Sequence, residues 1–125
     1  MRSIIVVFIG SGIGGALRHL VGLASLRLMG PNFPYGTLVV NVVGATLMGL
    51  LAGLFAFRVS GQHDLRLFLT TGILGGFTTW STFSLDVVTL WQRNQPIAAF
   101  GYVAASLIAS LAGLATMLIV MRRLA

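Results

Sequence analysis

The chain has no cysteine and no lysine, and its only acids are Asp64 and Asp86, set against eight arginines in 125 residues. Without thiols, neither a disulfide framework nor a thiolate metal site is available. A proton-coupled or cationic-drug transporter uses a carboxylate deep in the membrane, and none is expected here, since Asp64 falls in a connector and Asp86 near a helix end. No HExxH motif, phosphate loop or nucleophile with an orienting base is present, and His19 and His63 lack metal-ligand spacing. Catalysis is therefore not expected.

What the chain does have is apolar length. Hydrophobic residues make up 57% and charged residues 8%, with a mean hydropathy of +0.98, the composition of an integral membrane protein. A span needs about 20 apolar residues. Four such runs are expected to be transmembrane helices, at about 4–28, 36–57, 65–91 and 96–121, together forming one all-α unit over 1–125. The first run is read as a span, not a cleaved signal peptide. Turn-rich connectors fall at 31–34 and 59–64, and Pro96 stands where the last helix begins. The net charge of +6 would suggest nucleic acid in a soluble protein. On this background it is read as anchoring to anionic membrane lipid, with no nucleic acid partner.

The third run is the most informative, because residues 72–84 place three glycines, five hydroxyl residues and the aromatics Phe77, Trp80 and Phe83 inside a membrane-length segment. A plain anchor has no use for such a mixture. Glycine and hydroxyl residues weaken regular helix, and freed backbone groups are tolerated at bilayer depth only where protein or a water-filled path satisfies them. The expectation is a broken third helix lining a conduction or binding site.

With four spans, Arg2, Arg58, Arg66, Arg122 and Arg123 fall on one side, while Arg27 and Arg93 lie on the other and Arg18 points there from within the first span. The positive-inside rule then favours cytoplasmic termini only weakly, a bias compatible with insertion in both orientations. Four helices hardly enclose an aqueous path while covering their own polar groups, so an oligomer is expected. Gly10 with Gly14, and Ala45, Gly49 and Gly53, recur at four-residue intervals that support close helix contact, within the chain or between copies.

Polar residues recur on helical faces. Thr37 and Asn41 share one face of the second span, and Tyr102, Ser106 and Ser110 form a stripe along the fourth. Any one hydroxyl can simply bond back to its own helix. As a set with an asparagine they are read as a polar pathway, whose donors and aromatic ring edges suit a small anion. Arg18 admits two readings, a snorkelling helix-end cation and a vestibule residue.

These residues resemble the small bacterial fluoride-exporting channels known as CrcB or Fluc. The likeness is carried by Gly15-Ala16-Leu17-Arg18, by Gly36-Thr37-Leu38-Val39-Val40-Asn41, and most specifically by the run from Thr71 through Gly75-Gly76-Phe77-Thr78-Thr79-Trp80-Ser81-Thr82-Phe83-Ser84. It implies an antiparallel, dual-topology homodimer in the bacterial inner membrane, with two fluoride pores and a central structural sodium ion. The matching sodium ligands are the backbone carbonyls of Gly75 and Thr78, and the family's paired phenylalanines fall on Trp80 and Phe83. Thr37, Asn41, Ser81, Thr82, Tyr102, Ser106 and Ser110 match its polar lining, and Arg18 its vestibule. Trp80 departs from the usual phenylalanine, and Asp86 stands where a glutamate is common. Two other classes compete on size and composition: a small dual-topology multidrug transporter and a structural subunit of a membrane complex.

Overall fold

The computed structural model describes residues 1–124, which are helical throughout apart from short connectors and one internal break. Helix α1 covers Arg2–Met29, α2 Tyr35–Phe57, α3 His63–Leu67, α4 Gly75–Phe77, α5 Trp80–Gln92 and α6 Pro96–Leu124, with a π-helical segment at Phe68–Leu74 joining α3 to α4. Three of these, α1, α2 and α6, are each long and apolar enough to cross a membrane. The third apolar run is divided between α3, the π segment, α4 and α5.

Local chemistry accounts for the ends. Gly30, at φ 80°, terminates α1 by turning its N–H onto the Leu26 carbonyl at 3.0 Å, a left-handed position that favours glycine. Pro96 occupies the first turn of α6, where its missing N–H costs nothing. Between α1 and α2, Pro34 sits at φ −78°, ψ 63°, and the Tyr35 N–H donates to the Phe33 carbonyl at 2.8 Å. That is an inverse γ-turn, so the connector is held in one shape.

The break itself differs from the expectation. Thr78 and Thr79 are the extended residues, at ψ 158° and ψ 122°, whereas Gly72, Gly75 and Gly76 lie within helical turns. The glycines serve contact instead of opening the chain. A Cβ on Gly10 would come within 2.8 Å of both Gly72 Cα and the Phe68 carbonyl oxygen, one on Gly14 would overlap the Ile73 carbonyl, and one on Gly76 would overlap Ser11. Backbone therefore meets backbone where α1 crosses the π segment and α4, the close approach small residues permit between membrane helices.

The same logic joins α2 to α6, where Gly49 faces the Leu114 backbone, Gly53 faces Met121 and Gly113 faces Thr46. The four-residue glycine spacings thus serve packing inside one chain. Against α6, α5 contributes Phe83 and Leu90 to a small core with Ala99 and Tyr102. At one end of the bundle Arg2 pairs with Asp64, and Arg58 donates to the Leu124 carbonyl at 3.1 Å.

Candidate functional site: a groove at the helix break

Two extended residues inside an apolar segment leave peptide groups without helical partners, and Asn41 of α2 supplies them. Its Nδ2 donates to the Thr79 carbonyl at 3.0 Å, and its Oδ1 accepts from the Thr79 N–H at 2.8 Å. The amide thus clamps both backbone groups of Thr79, which belong to the two successive peptide units on either side of its Cα. Thr79 then caps α5, its Oγ1 accepting from the Thr82 N–H at 3.3 Å. Across the break, the Thr78 hydroxyl returns to the Leu74 carbonyl at 3.0 Å, and Arg18 Nε donates to the Gly76 carbonyl at 3.2 Å. Arg18 thereby places its charge at the carbonyl end of the first half, where a cation is favourable.

Beside the clamp runs a groove of about 320 Å³, lined by Asn41, Thr78, Thr79, Trp80, Phe83, Ser106 and Ser110 with apolar residues of α2 and α6. Ser106 is 5% exposed, and its Oγ has no hydrogen-bond partner among the described residues. A buried hydroxyl without a partner is costly and unusual. Trp80 is 71% exposed, its ring centroid 5.0 Å from that of buried Phe83. On the α1 side of the break lies a second cavity, of about 390 Å³, lined by Arg18, His19, Thr37, Thr79 and Thr82 among others.

The structure therefore gathers Asn41, Trp80, Phe83, Ser106 and Ser110 at the groove, and Arg18, Thr37 and Thr82 at the neighbouring cavity. Three residues fall outside this pattern. Ser81 is exposed, within 3.3 Å of the Thr79 hydroxyl. Gly75 is also exposed. Tyr102 is fully buried, apart from its stripe partners, and its hydroxyl donates to Asp86 Oδ2 at 3.0 Å. Asp86, placed near a helix end by the sequence, is part-buried and bonded to the core tyrosine.

Phe33 and Tyr35 escaped sequence reasoning altogether. Their rings extend an aromatic chain from the break to the α1–α2 connector: Trp80 to Phe83 at 5.0 Å, Phe83 to Tyr102 at 5.2 Å, Tyr102 to Phe33 at 5.5 Å and Phe33 to Tyr35 at 4.9 Å. The available signal was an aromatic between two prolines, a position where the backbone is preset.

A helical membrane protein whose broken segment is held by an asparagine clamp, beside a groove that mixes hydroxyls and aromatic rings with apolar residues, is more than a plain membrane anchor. Residues 5–118 match the family model described as CrcB-like protein, Camphor Resistance (CrcB), and the chain belongs to that family. It is 52% identical to the fluoride-specific ion channel FluC of Methylobacterium nodulans over 98% of both chains. It is 50% identical over the full length of both to the protein of that name from Rhizobium etli strain CIAT 652. The protein of that name from Mesorhizobium japonicum is 48% identical over 91% of each chain. The multidrug-transporter and structural-subunit readings are set aside by this membership, and the protein is a membrane-embedded member of a non-enzymatic channel family.

Proposed function

We propose that this chain is the subunit of a passive fluoride-selective channel that carries fluoride out of the cytoplasm across the bacterial inner membrane. The carrying observation is the buried, partnerless Ser106 hydroxyl, which shares a groove with Ser110, Asn41 and the Phe83 and Trp80 rings. A donor held without a partner in an apolar surround gains most from an anion that accepts its hydrogen bond. Fluoride, small and strongly hydrated, exchanges water for several such short bonds, while the absence of tight charge pairing in the groove lets it leave again. The relatives' names supply the ion.

In this reading the pathway residues are Thr37, Asn41, Trp80, Ser81, Thr82, Phe83, Tyr102, Ser106 and Ser110, with Arg18 at a vestibule. Asn41 keeps one N–H of its amide for the ion, having spent the other on Thr79. The groove is open along the side where Trp80 is exposed, and hydroxyls facing lipid there would be unsatisfied. A second copy covers it, giving a homodimer with two pores. The weak arginine asymmetry supports antiparallel insertion with dual topology, and the third apolar run counts as a fourth span.

The resemblance also implies sodium. Its carbonyl donors fit a hard cation, since Gly75 and Thr78 border the break where helical bonding stops. Two oxygens from one chain fall short of a hard ion's usual six or more, so a site at the dimer axis draws on both copies. The ion's charge would favour anions nearby; binding and dehydrating fluoride remain the work of the groove side chains.

The test is release of fluoride, followed by electrode, from liposomes holding the purified chain alone. Fluoride release with little chloride release is expected. Comparable release of both ions would overturn the selectivity argument, and no fluoride release would overturn the channel reading.

A further inference from the structure

Phe33 stands where the aromatic chain meets a third cavity. That cavity, of about 270 Å³, lies under the α1–α2 connector and is lined by Asn32, Phe33, Tyr35 and Thr37 from the α1–α2 side and by Asp86 and Thr89 of α5 with Arg93 at its C-terminal cap. These last three recur at three- and four-residue steps, so one face of α5 and its cap form the wall. Asp86, on that wall, accepts the Tyr102 hydroxyl at 3.0 Å. Tyr102 itself is fully buried, and the Phe33 ring packs on it edge to face, at 84°. The γ-turn at Pro34 and the following Tyr35 ring hold Phe33 in place.

We propose that Phe33 is a further lining residue of the pathway, the ring that seals buried Tyr102 from the polar cavity beneath the connector, and that this cavity is a mouth through which a small anion passes. The proposal rests on the fluoride-channel reading. On the connector side Tyr102 is flanked by the Asp86 carboxylate and the Phe33 ring. The carboxylate repels an anion, so the remaining passage is the margin between Phe33, Thr37 and Tyr102, opening toward Arg93. A fixed ring keeps that margin narrow, which admits fluoride and excludes larger anions on size. Arg93 gives the mouth a positive charge that offsets Asp86.

Two measurements on the liposome-reconstituted chain test this. Phe33→Ala removes the seal, and chloride release is expected to rise about tenfold over wild type while fluoride release stays within a few-fold, since the pore widens where size selection acts. Where Phe33→Ala yields no folded protein, Phe33→Leu is read the same way with a smaller leak. Because the chain is free of cysteine, Thr89→Cys places a unique thiol in the cavity wall. Labelling it with a bulky methanethiosulfonate should block fluoride release, whereas the same label on Ile108→Cys, 69% exposed on α6, should not. A folded Phe33 variant with wild-type selectivity overturns the seal, and full labelling of Thr89→Cys without loss of flux overturns the mouth. If the wild type itself releases no fluoride, the channel reading fails and takes this proposal with it; wild-type release with unaffected variants sinks the proposal alone.

Discussion

Asn41→Ala removes both hydrogen bonds to the Thr79 backbone, the 3.0 Å donation to its carbonyl and the 2.8 Å acceptance from its N–H. No other side chain among the described residues bonds to either group. Each part-buried polar group left alone costs about 1–3 kcal/mol, and substitute partners inside membrane proteins pull such costs toward the low end. Two groups together give about 2–4 kcal/mol against the native break, or roughly one and a half to three powers of ten in the population that keeps it. Fluoride release from liposomes and the denaturation midpoint in detergent should therefore fall together. Asn41→Asp retains the acceptor for the Thr79 N–H but loses the donor, so it should land between wild type and alanine on both readouts. Wild-type midpoint and flux in Asn41→Ala would refute the clamp. Lost flux at an unchanged midpoint would make Asn41 purely an ion-solvating residue.

Ser106→Ala is expected to lower fluoride flux severalfold while leaving the denaturation midpoint equal or higher, because it deletes a buried hydroxyl that has no partner to lose; a fall in the midpoint would mean the hydroxyl is bonded in the assembly. Trp80→Phe should keep or raise flux and Trp80→Ile should reduce it, since only the aromatic ring offers a polarised edge; equal flux in all three would remove position 80 from the ion path. Gly14→Ala would drive a methyl into the Ile73 carbonyl and should cost about 1–3 kcal/mol by overpacking. Gly12→Ala, with nothing within 4 Å, should stay within about 0.5 kcal/mol of wild type; similar midpoints for the two variants would contradict the backbone contact between α1 and the third apolar run.

Apolar run length, two acids and the residue pattern at 71–84 determined by themselves that this is a helical membrane protein, and they pointed to its family and to a break in the third run. Those are properties of local composition, readable because the bilayer makes length and polarity decisive. The hydroxyl stripe on α6 was legible for the same reason, since helical spacing alone puts Ser106 and Ser110 on one face. Where the break falls was not legible. Glycine is permissive whether it bends a chain or admits a neighbour's backbone, and only the crossing of α1 decided that Gly72 and Gly76 do the second while Thr78 and Thr79 do the first. The Asn41 clamp on Thr79 joins residues 38 apart, and Tyr102 meets Asp86 across 16. Phe33 reaches Tyr102 from a connector that carries no helical period at all. Such pairings are created by helix packing, which places side chains in space after the local rules have been used up, and so the tertiary structure alone decided which polar groups are spent on the fold and which remain free for an ion.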